Sequence, residues 1–434
     1  MTDFAKPDFE KPELAKPVFV KSSALAPFRV RNYRFQWPAD MLTSWAFEME
    51  GIILGWYVLV TTGSVLLLTI LVSLNYVGTL AAPLFGVFGD RIGHRNLLAG
   101  MRACYAVLSL TMMTLTLSGH LTPAYVLIIA TGLGIIRPSD LGVRGALVAH
   151  IMPSHHLTTA MSVSRTTMDT ARLFGALSGA GLFATVGMGR AYIAIVCLYV
   201  LATLLTLAIV SGASARPGSQ ADSDIPMPSP LQDLKEGIVY TIRMPRMQAV
   251  MWIAFFTNLT AYPITTGLLP YAAKTIFATD ETGLGYLSAS YAVGSLVASI
   301  ALSIAAAHKL GRMVVFWTLA WYIGLLVYAQ LTSFNVAIVC LALIGFAQSF
   351  AMVGIAVILL RTASEHMRGR VMGVRMMVIY GLPIGLLVAG SLIEKIGFAA
   401  TASLYAALGI VFMLVVALKW RGDLWDARAP ANTR

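Results

Sequence analysis

The sequence predicts an all-α membrane protein, with twelve transmembrane helices in two pseudo-symmetric six-helix bundles. Three observations carry that prediction. Of 434 residues, 58% are hydrophobic and only 12% charged, too few polar groups to cover a water-soluble domain. Twelve segments have the roughly 20-residue apolar length that a helix needs to satisfy its backbone inside lipid. A Gly/Ser/Pro/Asp stretch, SGASARPGSQADSDIPMPSP at 211–230, has the make-up of a flexible linker and divides the segments six and six.

The spans are expected near 35–62, 66–89, 96–118, 122–149, 158–187, 190–211, 248–271, 283–306, 313–332, 335–360, 370–393 and 397–419. They group into bundles at 35–211 and 248–419, joined by a cytoplasmic linker at 212–247, with cytoplasmic tails at 1–34 and 420–434. The first tail repeats Lys-Pro every five residues, in AKPDF, EKPEL and AKPVF, and prolines at that density block helix and ladder bonding, so it reads as a disordered tether. It carries Lys6, Lys11, Lys16 and Lys21 but no apolar run of signal-peptide length.

Charge sets the orientation. With both termini inside, 22 of the 31 Lys and Arg fall in tails or cytoplasmic loops, three on the opposite face (Arg190, Lys274, Lys395) and six within helices. The net charge of +11 is therefore a topology signal, and no basic patch interleaved with aromatics points to nucleic acid. The expected location is the plasma (inner) membrane. Cys104, Cys197 and Cys340 fall inside spans with no close-spaced pair, which reads as core packing and argues against disulfides or a thiolate metal site. His150, His155 and His156 lack the spacing of a metal site, and no cofactor is expected.

The two halves echo each other. A shift of 210 residues places Arg165 on Arg375 and Gly175 on Gly385, and DRIGHR (90–95) has a reduced counterpart in HKLGR (308–312). In the first of these junctions, Gly86 and Gly89 permit close helix approach, Asp90 can accept from a neighbouring helix N-terminus, and Gly93 permits a tight turn. Gly86, Asp90, Arg91, Gly93 and Arg95 resemble the G-x-x-x-D-R-x-G-x-R loop signature of the major facilitator superfamily. That resemblance extends over the whole chain and implies a monomeric transporter whose cytoplasmic loop latches the two halves as they alternate. NYRFQWPADMLTSW (32–45), PSHHLTTAMS (153–162), RLFGALSGAGL (172–182) and EHMRGRVMGV (365–374) are similar to the branch holding enterobactin-type siderophore exporters and macrolide efflux proteins. Two departures separate the chain from the superfamily's antiporters: Gly175 to Ala180 lacks the proline and last glycine of G-P-x-x-G-G, and 125–134 holds no arginine.

Ionisable groups at bilayer depth cost roughly 2.5 to 3.5 kcal/mol each on insertion scales, so they need partners or a wet cavity. Eight lie well inside, all in the N-terminal half: Glu48, Glu50, Arg137, Asp140, Arg144, Arg165, Asp169 and Arg172. Asp140 with Arg144, Arg165 with Asp169, and Asp169 with Arg172 are spaced to pair along one helix. Glu48 and Glu50 have no base on their own helix. Glu48 shares a polar stripe with Asp40, Ser44, Gly51 and Gly55, and is expected to be the proton-linked carboxylate, met by Arg137 or Arg172, with Glu50 as fallback. Arg102 and Arg375 lie near cytoplasmic ends and are expected to snorkel. Spans seven and ten offer neutral groups instead, and Asn258, Thr260, Tyr262 and Gln348 are the expected substrate-cavity residues.

No phosphate-binding loop, nucleophile triad or metal-ligand helix pattern is present, so no enzyme is expected. The expected function is proton-coupled efflux of an amphipathic small molecule, siderophore-like or drug-like, by alternating access. An importer or facilitator of an organic ion, and a non-transporting membrane scaffold or receptor, are the competing readings. A scaffold has no use for eight charges at depth.

Overall fold

The computed structural model describes residues 25–81, 85, 88–89, 91–210, 230–304, 310–364 and 367–425. All regular structure among them is helical. The first half comprises α1 (Arg31–Thr62), α2 (Val65–Leu74), α3 (His94–Leu117), α4 (Pro123–Ile151) and the double-length α5 (Ser154–Leu207). α6 (Pro230–Arg243) lies within the expected linker. The second half comprises α7 (Pro245–Phe256) with its continuation to Ile276, α8 (Glu281–Ile304), α9 (Leu310–Tyr328), α10 (Phe334–Thr362), α11 (Arg368–Val378), α12 (Gly381–Ile396), α13 (Phe398–Lys419) and the short α14 (Arg421–Trp425).

Local chemistry sets the helix ends. Ser64 caps α2 by accepting from the Leu67 N–H at 3.2 Å, and Thr122 caps α4 ahead of a proline in its first turn. α1 ends at Gly63, whose left-handed backbone (φ +68°) lets its N–H reach Leu59 O at 2.9 Å. Among the described residues, eight helices are long and apolar enough to cross a membrane by themselves. One of them, α5, makes two crossings, because Gly187 (φ +78°, ψ 169°) breaks it in a region open only to glycine. Gly397 (φ +81°, ψ 168°) does the same between α12 and α13, at the offset of 210 that relates Arg165 to Arg375. Adding α1, the crossing that starts with α2, and the α7 crossing completes twelve spans in two six-helix halves.

The repeat governs packing as well. A Cβ on Gly175 would collide with Trp45 O and Glu48 of α1, and one on Gly385 would collide with Leu259 O in the α7 crossing, so equivalent helices touch at equivalent glycines. The α7 crossing is interrupted by i→i+5 turns at Thr257–Ala261, Pro263–Gly267 and Ala272–Ile276, with Leu268 N bonded to Pro263 O at 3.0 Å and Phe277 N to Ala272 O at 3.0 Å. Pro263 and Pro270 each remove a backbone donor there. Each half has its own apolar core, and Trp56, Leu59, Val65 and Leu68 of the first half belong to the core of the second.

Candidate functional site

An even number of spans puts both ends of the chain at one end of the bundle, here the terminal end. At the opposite, far end the halves close on each other. A Cβ on Gly55 would stand 3.1 Å from Pro270, Lys274 Nζ donates to Leu59 O at 3.3 Å, and Gly390 abuts Thr69. Below this seal lies a cavity of about 810 Å³, walled by both halves. It runs from Leu269 and Pro270 at the seal to His94, Ala146 and Met376, which lie near the terminal end. The size suits a drug-sized ligand.

Three charge groupings border or support it, all built from inward-facing positions of the first half. Glu48 and Arg172 line the cavity and pair at 3.3 Å, with side chains 37% and 40% exposed. Glu50 is dry, at 1% exposure: Arg137 meets it at 3.2 Å, Ser109 Oγ donates at 3.0 Å and Tyr199 Oη at 3.2 Å. Arg137 reaches from that dry pocket to the cavity wall, donating to Asn75 Oδ1 at 2.8 Å and stacking on Phe47 at 4.2 Å. The predicted alternatives for Glu48 thus separate, Arg172 going to Glu48 and Arg137 to Glu50.

The third grouping is one that sequence reasoning missed. Arg102 does not snorkel; it is fully buried and bonded to Asp40 and Thr206. Asp40 also accepts from Gln36 at 2.7 Å and faces Arg144 Nε at 3.6 Å, and Arg144 pairs with Asp140 and donates to Ser44 at 2.8 Å. The correction has a physical cause. A base one or two turns from a helix end snorkels only if nothing nearer neutralises it, and the stripe on α1 that holds Glu48 also places Asp40 against α3. Asp169 is buried too, held by Arg165 at 3.5 Å and Arg172 at 3.8 Å. Ser299 Oγ donates to it at 3.2 Å, a hydrogen bond that crosses between the halves.

In the second half, Thr265 and Thr266 line the cavity, whereas Asn258, Thr260, Tyr262 and Gln348 are placed outside its lining. Asn258 donates to Ala254 O on its own helix at 2.8 Å, and Thr260 shares a 2.8 Å bond with Tyr322. Gln348 Nε2 donates to Tyr262 Oη at 2.6 Å, and that hydroxyl sits in the field of Arg172, Arg165 and Arg375. The expected latch is divided: Gly86 and Asp90 lie outside the described residues, Arg91 is exposed, Gly93 turns at φ +86°, and Arg95 bonds Leu207 O of its own half. Cys104 and Cys197 are exposed on the helix surface and not in the core, and Cys340 is half-buried.

Solved structures share this architecture. The nucleoside transporter NupG superposes with a TM-score of 0.68 at 14% identity, covering 90% of this chain and 99% of that one. The human organic anion transporter MFSD10 (TETRAN) gives 0.63 at 16% identity, covering 90% and 99%. A bacterial homologue of the human lysosomal transporter Spinster, solved inward-facing and unoccupied, gives 0.61 at 12% identity, covering 92% and 99%. No curated protein sequence matches this one. The profile of the Major Facilitator Superfamily matches residues 37–378 and again 251–432. Two six-helix halves around a shared central cavity, and a sequence that matches across nearly its whole length, place the chain in the Major Facilitator Superfamily.

Proposed function

We propose that this secondary transporter couples the movement of an amphipathic small molecule to protons, with Glu48 as the coupling carboxylate and export as its direction. One observation carries the reading. Among the described acids at membrane depth, Glu48 combines a cavity-facing, part-exposed carboxylate with a single basic partner, while Asp40, Glu50, Asp140 and Asp169 are buried, Asp140 in its pair with Arg144 and the other three in several bonds each. A carboxylate that alternates between a wet cavity and a closed interface exchanges its proton at one stage and keeps it at the other. Export rests on the resemblance to the siderophore and macrolide efflux branch, together with a cavity that extends to the terminal end. The one-sided Lys and Arg favour a cytoplasmic position for that end, and the resemblance favours a monomer in the inner membrane. Nucleosides and organic anions are cargoes of its structural neighbours and are not carried over from a shared fold.

A second reading, uptake of an organic ion together with a proton, is favoured by Arg172, which loses its cavity-facing counter-ion whenever Glu48 is protonated. Purified protein in liposomes tests both. Proton flux opposite to the substrate establishes exchange, and flux in the same direction establishes co-transport. A Glu48→Gln protein that transports normally with unchanged pH dependence removes Glu48 from the mechanism.

A further inference from the structure

Two helix pairs close the far end, each made of one span from either half. α2 packs on α12, where Gly390 abuts Thr69 and, deeper in, Ser73 Oγ donates to Pro383 O at 3.3 Å. α1 packs on the α7 crossing, where Gly55 faces Pro270. Beside these neutral contacts stands a charged one. Lys274 Nζ, from the second half, donates to Leu59 O of the first at 3.3 Å.

The acceptor is suited to a cation. Leu59 lies in the last turn of α1, which ends at Thr62, and the last carbonyls of a helix carry the negative end of its dipole. Leu59 O accepts the capping N–H of Gly63 at 2.9 Å, and its second lone pair serves the lysine. The donor stands in the i→i+5 turn Ala272–Ile276, a wide geometry that recurs at functional positions. Lys274 is one of three Lys and Arg, of 31, that the span assignment leaves at this end. A base there runs against the positive-inside bias, so topology gives no reason for it.

We propose that Lys274 is a latch of the far end: by capping the C-terminal turn of α1 across the interface between the halves, it biases the transporter toward the state closed there, and its release accompanies opening. The side chain is half-buried at the end of the bundle, so parting the halves returns its ammonium group to water. Release therefore strands no charge in a dry interior, as separating Asp40 from Arg102 would. Lys274 lies outside the cavity lining and acts as a positioning residue, setting the balance between two states without touching cargo. The inference rests on the transporter reading and is independent of Glu48.

Distances across the far end test it without a cargo. With Cys104, Cys197 and Cys340 changed to serine, nitroxide labels are attached at His120→Cys and Ala399→Cys. Both positions are exposed at the far end, one in each half, and both lie outside α1 and the α7 crossing. Pulsed dipolar electron resonance in lipid nanodiscs reads the ratio of the longer-distance, open population to the closed one. Lys274→Met keeps an unbranched stem and loses the donor, and should raise that ratio by about tenfold, as loss of a hydrogen bond from a charged group requires. Lys274→Ala should shift it the same way, and Lys274→Arg, which still donates, should stay near the parent. Lys395→Met removes an exposed base at the same end and should leave the ratio unmoved. Thermal unfolding like the parent's shows that each variant is folded. A ratio unmoved by both Lys274→Met and Lys274→Ala overturns the latch, and so does an equal rise in Lys395→Met, which would assign the effect to far-end charge in general. Unmoved distances leave the coupling reading standing, whereas unchanged transport by Glu48→Gln removes that reading and leaves the latch, so the two fail separately.

Discussion

The two halves of this transporter repeat one backbone plan with opposite interiors. The first half keeps five acids and five bases at membrane depth: Asp40, Glu48, Glu50, Asp140 and Asp169 against Arg102, Arg137, Arg144, Arg165 and Arg172. The second half uses neutral hydroxyls and amides, such as Thr260 with Tyr322, Tyr262 with Gln348, and Tyr405 bonded to Gly385 O at 2.8 Å. The difference teaches a division of labour. The buried ion pairs between spans, Asp40 with Arg102 and Glu50 with Arg137, lock the first half into one shape, because separating either leaves a charge in a dry interior. Neutral hydrogen bonds and the i→i+5 turns of the α7 crossing let the second half adjust at smaller energetic penalty.

The largest effect expected is on the buried pair. Arg102→Met strips Asp40 of its closest base and should destabilise the protein by about 3–5 kcal/mol, while Asp40→Asn combined with Arg102→Met should recover part of the loss. Chemical unfolding in detergent measures both. If the double variant is no more stable than Arg102→Met alone, the two residues do not act as a pair and the first half is not locked by charge.

Glycine packing should show no such asymmetry. Gly175→Ala and Gly385→Ala each press a methyl group into a neighbouring crossing at equivalent positions, and each should cost about 1–3 kcal/mol. Similar losses would sharpen the comparison, since the halves would then differ in charge alone. A clear excess for Gly175→Ala would mean that Glu48, which its methyl group meets, adds to the penalty.

Much of this was legible in advance. Twelve spans follow from hydropathy because lipid demands that every backbone group be satisfied within its own segment. Pairs along one helix, Asp140 with Arg144 and Arg165 with Asp169, follow from a spacing of four. Pairs between helices were legible only in part: Arg172 was one of two partners expected for Glu48, whereas Asp40 meets Arg102 only through the relative rotation of α1 and α3, which no single segment encodes. The same reason hid the division of Arg137 and Arg172 between Glu50 and Glu48, and the placement of Asn258 and Thr260 against their own half. The prolines of the α7 crossing were visible, but the turns formed around them depend on carbonyls freed in three dimensions.

In the second half, Tyr322→Phe should cost only about 1 kcal/mol, measured by the same unfolding assay. Thr260 keeps its 2.8 Å bond to Phe256 O, so no buried group is orphaned. A loss as large as that of Arg102→Met would erase the contrast between a charged, rigid half and a neutral, adjustable one.

The smallest stability effect should fall on the pair with the greatest functional weight. Arg172→Gln breaks the 3.3 Å bridge to Glu48, but both side chains are more than a third exposed, so water screens the pair and unfolding should shift by no more than about 1 kcal/mol. Transport should nevertheless fall sharply, with its pH dependence moved, because the carboxylate proposed to couple protons loses its basic partner on the cavity wall. A large stability loss with an unmoved pH profile would put Arg172 with the structural pairs around Asp40 and leave the wet cavity without its proton switch.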